Sequence, residues 1–222
     1  MESKKTGKTA KKNPSAGKLF VITGPSGVGK GTILEKFFHN NKNIIYSISQ
    51  TTRKPRPGEV HGVNYFFVSH EDFEKSIQND ELLEWAKYSD NYYGTKKDFV
   101  LKALEKGADV LLEIETKGAK KIMEKFPDCI TVFFTPPNLD ELEKRLRGRK
   151  TEDEASIQKR LKIVKEELEL STIYKYTIEN DEVENALNKL QAVYDFEKRT
   201  KSEAQSEDST CETSESEAAS EQ

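Results

Sequence analysis

The chain has 222 residues, 34% of them hydrophobic and 34% charged, and its formal net charge is −3 at pH 7. This length allows one large domain or two small ones with a sizeable core. No apolar run approaches the roughly 18 residues that a membrane-spanning helix needs, so we expect no integral membrane protein.

The small net charge hides two oppositely charged ends. The first 18 residues contain six lysines and one glutamate, whereas residues 201–222 contain seven acidic residues and one lysine. Their composition predicts a disordered basic extension over 1–17 and a disordered acidic Ser/Glu-rich tail over 201–222. An arm for nucleic acid or an anionic membrane is the alternative for the first, and a site for a basic partner is the alternative for the second. Because the chain between them is almost neutral, we expect neither nucleic acid nor membrane as a partner.

The cysteines and histidines show no ligand-like spacing. Cys129 and Cys211 are far apart and match no metal site or disulfide framework. The N-terminal lysines are not followed by the apolar stretch of a secretory signal. These features favour a reducing, cytoplasmic location. His39, His61 and His70 are interpreted as structural or surface residues.

A phosphate-binding loop is the first strong motif along the chain. A short apolar run at 19–22 predicts a strand and a helical pattern begins at Ile33, so a glycine-rich turn lies between a strand and a helix. Glycines let backbone N–H groups face an anion at a helix start, and Lys30 adds a cation that can follow the phosphates during transfer. The motif predicts binding of a nucleoside triphosphate; a turn without a ligand is the alternative. The loop consists of Gly24, Pro25, Ser26, Gly27, Val28, Gly29, Lys30, Gly31 and Thr32.

One position of this loop departs from the common pattern. Gly31 follows Lys30 where a Ser or Thr hydroxyl usually binds Mg²⁺. The hydroxyl of Thr32 comes one residue later, which leaves its contact with Mg²⁺ open. We therefore predict no protein ligand for the metal.

Strand and helix patterns alternate through most of the remaining chain. Near-continuous apolar runs at 109–114 and 130–134 predict buried parallel strands, and 176–178 is a weaker third candidate. Two apolar stripes with steps of three and four residues predict helices. They are Ile157, Leu161, Val164 and Leu168, and then Val183, Leu187, Leu190 and Tyr194. The pattern predicts the α/β class, with a parallel-sheet P-loop core and helices on both faces, in a domain over 18–200.

Two segments interrupt this alternation. Residues 50–95 contain X-Pro turns, glycines and an aromatic run, which predict a small inserted β-rich lobe. Residues 136–160 begin with a Pro-Pro pair and are strongly charged after it. We interpret this second segment as a helical lid over the phosphates; a plain surface helical hairpin is the alternative.

The lobe carries residue types that suit a nucleoside monophosphate. Arg53 and Arg56 lie among hydroxyl residues, and two guanidinium forks can clamp a phosphate dianion. Tyr65 and Tyr93 can add hydroxyl donors. Glu84 lies beside a tryptophan, and its carboxylate can accept from the N1–H and 2-amino groups of guanine together. The alternatives are a basic surface loop for the arginines, packing for the tyrosines and an exposed helix position for Glu84.

Several motifs together resemble those of guanylate kinases in order and spacing. They lie at 24–32, 49–59, 65–68, 91–95, 136–137 and 145–149, and the similarity covers about 18–196. The Thr-Thr-Arg-x-Pro-Arg-x-Gly-Glu and Asn-Tyr-Tyr-Gly-Thr blocks are far more specific than a P-loop alone. The resemblance implies transfer of a phosphoryl group from ATP, with Mg²⁺, to GMP and also to dGMP. It further implies a core, a GMP-binding lobe and a lid, a role in purine nucleotide metabolism, and a monomer or homodimer.

The resemblance also implies roles for single residues. Those for the GMP phosphate are Arg53, Arg56, Tyr65 and Tyr93, and those for the guanine base are Ser49, Glu84, Thr95 and Glu115. Those for the ATP phosphates are Lys30, Arg145, Arg149 and Arg160, and Asn180 lies near the adenine. Of these, Lys30, Arg53, Arg149 and Arg160 are implied to be catalytic. Glu115 stands where the family usually has Asp, and Lys150 replaces the second glycine of the common lid motif.

Three other functions compete with this interpretation. A guanylate-kinase-like module that binds phosphopeptides without catalysis would have lost the donor site, whereas the loop glycines, Lys30 and the lid arginines are present. Another nucleoside monophosphate kinase is suggested by the Gly-Lys-Gly-Thr form of the loop. A scaffold role through the charged ends is the third alternative.

Overall fold

The computed structural model describes residues 16–88, 90–148 and 154–199, without the side chains of residues 155 and 156. The acidic tail, nearly all of the basic extension, and Arg149 and Lys150 of the lid motif therefore lie outside the described residues. Chain order is β1 (Leu19–Thr23), α1 (Lys30–Asn40), β2 (Ile44–Ser47), β3 (Gln50–Thr51), β4 (Phe66–Phe67), α2 (His70–Gln78), β5 (Leu82–Tyr88), β6 (Asn91–Lys96), α3 (Lys97–Glu105), β7 (Asp109–Glu113), α4 (Thr116–Lys125), β8 (Ile130–Thr135), α5 (Leu139–Gly148), α6 (Glu154–Glu169), a 3₁₀ turn (Leu170–Ile173), β9 (Tyr176–Glu179) and α7 (183–199).

The core is a parallel sheet with the strand order β2-β7-β1-β8-β9. Strand β1 is buried along its whole length, and successive side chains point to opposite faces. Phe20 and Ile22 pack with α1 and α7, whereas Leu19 and Val21 pack with α3 and α4. Two apolar layers thus hold helices against both faces, and the predicted α/β class is confirmed. Strand β2 was not predicted, because it is only four residues long and half of them are partly exposed.

The inserted lobe contains a second, mixed sheet with the order β4-β3-β6-β5. Strands β5 and β6 form its long antiparallel pair, and β3 joins the sheet between β6 and β4. The lobe also contains α2, which the sequence did not predict. Ser69 caps this helix, since its hydroxyl accepts a hydrogen bond from the N–H of Asp72 at 3.0 Å.

Helices α5 and α6 form the predicted charged excursion. Leu142 and Leu146 of α5 pack against Ile157, Leu161 and Val164 of α6, so the pair has an apolar seam of its own. None of the helices in the described ranges combines the length and apolarity that a bilayer crossing requires.

Candidate active site

A cleft of about 290 Å³ opens where β1 and β7 end, between the core sheet and the small sheet. The carboxyl ends of parallel strands are the usual ligand-binding edge of an open α/β sheet. The cleft is lined by Ser26, Gly27, Gly29, Lys30, Gly31, Thr32, Ser49, Tyr65, Glu84, Ala86, Tyr93, Gly94, Glu113, Ile114 and Glu115. The predicted phosphate loop and most of the predicted base-binding residues therefore share one cavity.

The phosphate loop needs glycine at several positions. Gly24, Gly27 and Gly29 have φ values of 140°, 92° and 99°, which side chains rarely adopt. At Gly24 a Cβ would also lie 2.4 Å from the Phe134 carbonyl oxygen. The loop passes directly into α1, whose first residue is Lys30.

Lys30 is hydrogen-bonded to its own loop. Its Nζ donates to the carbonyl oxygens of Gly24 at 2.6 Å and Pro25 at 3.1 Å. The ammonium group is therefore held at the cleft by backbone carbonyls, from which phosphate oxygens can take it over.

Asn180 and Arg145 hold the loop from outside. The side-chain N–H of Asn180 donates to the Val28 carbonyl at 2.6 Å, and the Arg145 guanidinium donates to the same carbonyl at 3.3 Å. Arg145 also donates to the Asn180 backbone carbonyl. Within the described ranges, Asn180 Oδ1 is buried and has no hydrogen-bond partner. The acceptor capacity of this oxygen is therefore unused among the described residues.

Helix α6 also reaches the loop. Arg160 donates to the hydroxyl of Ser26 at 2.9 Å. Arg145 and Arg160 thus converge on the phosphate loop from helices α5 and α6. Arg149, the third predicted lid arginine, lies outside the described residues.

Arg53 forms a paired fork with Glu59. Its two terminal nitrogens donate to the carboxylate at 2.9 and 2.8 Å, and its guanidinium carbon lies 5.4 Å from the centre of the Tyr65 ring. The pairing holds the pKa of Glu59 below its usual range. Arg56 is exposed and meets the same carboxylate through its backbone N–H, at 2.7 Å. Neither arginine lines the cleft, and Glu59 orders the segment that carries both.

Two tyrosines form the wall next to Arg53. The ring centres of Tyr65 and Tyr93 are 6.0 Å apart, and both residues line the cleft. Burial raises the pKa of Tyr65, so its hydroxyl stays protonated and able to donate at neutral pH.

Glu84 is a buried acid on β5, not an exposed helix residue. It is 4% exposed, and the hydroxyl of Thr95 donates to its Oε1 at 2.8 Å. Burial raises the pKa of the Glu84 carboxyl to about 7, although the Thr95 hydrogen bond opposes that change. Ser49, also buried, lines the same part of the cleft. The structure therefore pairs Glu84 with Thr95 and places Ser49 and Glu84 on the wall of the same cleft.

Glu113 lines the cleft as well and was missed by the sequence analysis. It is the last residue of β7, and the hydroxyl of Tyr46 donates to its Oε2 at 3.2 Å. Its position at the carboxyl end of a predicted buried strand was the available signal. Glu115 follows two residues later, and burial raises the pKa of its carboxyl while the charge of Lys30 opposes that effect.

Comparison with known proteins identifies the family to which this arrangement belongs. A family profile described as guanylate kinase matches residues 16–197. The chain belongs to the guanylate kinase family. The guanylate kinase of Halalkalibacterium halodurans is 50% identical over 177 residues, which are 80% of this chain and 87% of the relative. That of Caldanaerobacter subterraneus subsp. tengcongensis is 50% identical over 182 residues, which are 82% of this chain and 88% of the relative.

A solved structure agrees with this assignment. The crystal structure of guanylate kinase from Anaplasma phagocytophilum superposes with a TM-score of 0.70 at 31% identity, covering 82% of this chain and 86% of that one. This guanylate kinase is therefore a nucleotide-binding phosphotransferase of the nucleoside monophosphate kinase class.

Proposed function

We propose that this guanylate kinase transfers the γ-phosphoryl group of ATP in line to GMP, with ATP at the phosphate loop and GMP against the small sheet. One observation carries this orientation: Lys30 and Glu84 line the same cleft from its two sides, the first in the core and the second in the lobe. The product GDP then serves purine nucleotide metabolism. A donor phosphate beside Lys30 would face an acceptor whose base contacts Glu84.

The donor half of the site is rich in positive charge. In the proposal the loop N–H groups and Lys30 bind the β- and γ-phosphates, and Arg145, Arg149 and Arg160 add charge from the lid. Asn180 Oδ1, buried and without a partner in the described part of the chain, accepts from the adenine amino group. The Arg160 contact with Ser26 supports a lid that closes onto the loop.

The cleft is compatible with Mg²⁺ bound mainly through ATP. Mg²⁺ usually takes phosphate oxygens, waters and one or two carboxylates, and Glu113 and Glu115 both line the cleft with Thr32. In the described part of the chain no three acidic, histidine or cysteine side chains form a metal cluster. A Cβ at Gly31 would meet no atom within 4 Å, so the site has room for the Ser or Thr that the common loop pattern has at this position. Bound with ATP, the ion supplies charge neutralisation at the phosphates.

The acceptor half combines a phosphate clamp with a base pocket. Arg53, Arg56, Tyr65 and Tyr93 are proposed to bind the GMP phosphate, since the Arg53 guanidinium lies against the Tyr65 ring and the Tyr65 and Tyr93 rings are neighbours. The guanine is proposed to bind Ser49, Glu84, Thr95 and Glu115. An ionised Glu84 accepts two adjacent N–H groups, which guanine has and adenine lacks.

The chemistry requires positioning and charge rather than a general base. The attacking oxygen of GMP is already ionised, so no proton has to leave it during transfer. Lys30 and the lid arginines compensate the charge that develops on the moving phosphoryl group, and Arg53 brings in the acceptor against its repulsion from ATP. Closure of the lid excludes water and thereby limits hydrolysis of ATP.

A coupled assay of ADP release tests the proposal with ATP, Mg²⁺ and each of GMP, dGMP, AMP, UMP and CMP. We expect turnover with the guanine nucleotides only. Preference for another base would overturn the assignment of Glu84, and folded protein that binds GMP without turnover would favour a binding module. Acceptance of dGMP, a monomer or homodimer and a cytoplasmic location remain predictions from the family.

The substitution Glu84→Gln tests base recognition. The amide has one acceptor where the carboxylate has two, so one guanine N–H is left buried and unpaired, at a cost of about 1–3 kcal/mol. We expect the preference for GMP over AMP in kcat/KM to fall by about 100-fold. Glu74→Gln on the exposed side of α2 is the control, and unchanged discrimination in the Glu84 variant would contradict the role.

The raised pKa of Glu84 predicts a pH dependence of GMP binding. Only the ionised carboxylate accepts both guanine N–H groups, and this form is lost as pH falls through the pKa of about 7. We therefore expect KM for GMP to rise about tenfold between pH 8 and pH 6. The GMP phosphate itself titrates with a pKa of about 6. The pH profile of KM for Glu84→Gln contains only this second effect, and comparison with it isolates the contribution of the Glu84 carboxyl. Identical profiles for the two proteins would contradict the prediction.

A further inference from the structure

Two lysines of helix α4 in the core form hydrogen bonds to the edge strand of the lobe sheet. Lys121 Nζ donates to the Trp85 carbonyl at 2.6 Å, and Lys125 Nζ donates to the Leu83 carbonyl at 2.6 Å. Strand β5 is the edge strand of its sheet, so these two carbonyls face away from β6 and need other partners. Residues four apart on a helix lie on the same face, and residues two apart on a strand point their carbonyls to the same side. Lys121 and Lys125 can therefore each reach one of the two carbonyls. Glu84 lies between Leu83 and Trp85, whose carbonyls accept these hydrogen bonds.

The preceding turn of α4 makes room for the Glu84 carboxylate. A Cβ at Gly118 would lie 2.4 Å from Glu84 Oε2, so a larger residue there requires the carboxylate to move. Gly118, Lys121 and Lys125 follow one another at helical spacing, and we call this surface the α4 lysine face.

The same lysines lie close enough to act on the charge of Glu84. Both line a second cavity of about 180 Å³, to whose wall Glu84 and Trp85 also belong. The Lys121 ammonium lies 4.6 Å from the centre of the Trp85 ring. Burial raises the pKa of Glu84, whereas Lys121 and Lys125 lower it. The two cations therefore favour the ionised form that the cleft requires.

We propose that the α4 lysine face is a positioning element for guanine recognition, which fixes the β5 backbone on both sides of Glu84 and places two cations beside its carboxylate. The proposal rests on the proposed role of Glu84 and extends it to residues that do not touch the substrate. In this proposal α4 does more than pack against the sheet, because its lysines influence the charge and the position of Glu84 in the lobe.

Other groups also face Glu84 and have to be held constant. Thr95 is its hydrogen-bond partner on β6, and Glu115 at the start of α4 raises its pKa. The titratable and charged side chains that share a cavity wall with it are Lys30, Tyr65, Asp80, Tyr93, Glu113, Glu115, Lys121 and Lys125. Only the last two are changed in the test.

The test is steady-state kinetics of the full chain, comparing wild type with the double variant Lys121→Met/Lys125→Met from pH 6 to 9. Methionine keeps the length of the side chain and removes the charge. At pH 7 we expect KM for GMP to rise about tenfold, while kcat and KM for ATP stay within about twofold. The pH at which KM for GMP begins to rise should move up by about one unit.

Two further proteins control for charge and for the hydrogen bonds. Lys106→Met/Lys120→Met changes the net charge equally, and in the described ranges neither lysine has a hydrogen bond or ion pair with β5; its kinetics should match wild type. Lys121→Arg/Lys125→Arg keeps both cations and should restore the pH profile. A pH profile of the methionine variant equal to that of wild type, or a loss shared by kcat and KM for ATP, would overturn the proposal.

Gly118→Ala and Glu84→Gln separate the remaining outcomes. Gly118→Ala displaces the carboxylate without removing a charge, so we expect it to raise KM for GMP even if the double variant is unstable. In the Glu84→Gln background the loss of both lysines should leave the pH profile unchanged. If Glu84→Gln alone has no effect on GMP, the proposed role of Glu84 fails; if it has one and the lysine and Gly118 variants have none, only the α4 lysine face is rejected.

Discussion

Replacement of Lys30 by alanine is expected to lower kcat by about 10³-fold while leaving the fold intact, which corresponds to about 4 kcal/mol of transition-state stabilisation. The lysine belongs to no apolar cluster, and its ammonium bonds only to the Gly24 and Pro25 carbonyls among the described residues. Lys30 itself lines the cleft, so removal of its side chain opens space in which water can reach these carbonyls. In the reaction the ammonium moves to phosphate oxygens whose charge increases during transfer, so the loss falls on kcat.

Lys36→Ala on the same helix is the matched control. Lys36 forms an exposed ion pair with Glu184, at 3.2 Å, and such pairs contribute little to the stability of the fold. Activity is measured by ADP release, and the fold by circular dichroism and thermal unfolding. A Lys30 variant that retains turnover within about tenfold of wild type would remove Lys30 from the mechanism.

Replacement of Arg53 by methionine is expected to raise KM for GMP by about 100-fold, or roughly 2.7 kcal/mol. The change removes the guanidinium fork proposed for the GMP phosphate, and it leaves the Glu59 carboxylate nearby without its cation. The unpaired Glu59 carboxylate then repels the phosphate, and this repulsion adds to the loss of the Arg53 attraction. Lysine at this position should restore less than a tenth of the loss, because an ammonium cannot form both parallel hydrogen bonds.

The double variant Arg53→Met/Glu59→Gln separates the two effects. It lacks the stray carboxylate, so its KM for GMP should lie between those of wild type and Arg53→Met. Lys54→Met, the exposed neighbouring residue, controls for the change in net charge. A KM for GMP within about threefold of wild type in Arg53→Met would show that the phosphate binds elsewhere.

Local patterns were sufficient for the core and for the phosphate loop. Strand β1 and the strands at 109–113 and 130–135 are buried on both faces, so their continuous apolar runs were readable. Strand β2 was missed because its pattern is too short and mixed. The loop glycines were readable because their positive φ values leave few other residues possible.

Contacts between distant segments were not readable from the sequence. The Arg53 fork was predicted for a phosphate, yet its pairing with Glu59 depends on how the loop between them folds. The grip of Lys121 and Lys125 on β5 joins residues about 40 positions apart and depends on the angle between lobe and core. Glu113 was read only as part of the apolar run at 109–114, because its place at the cleft follows from the strand order.

The Asn180 side chain couples two properties that an engineer would wish to change separately. Its N–H group holds the Val28 carbonyl and so shapes the loop, whereas its buried oxygen is the proposed contact for adenine. A Cβ on Gly29 would lie 2.6 Å from that same nitrogen, so the two positions constrain each other. Redesign of the donor preference from ATP to another triphosphate at Asn180 would therefore also disturb the loop. Exchange of the donor base is therefore expected to require paired substitutions rather than single ones.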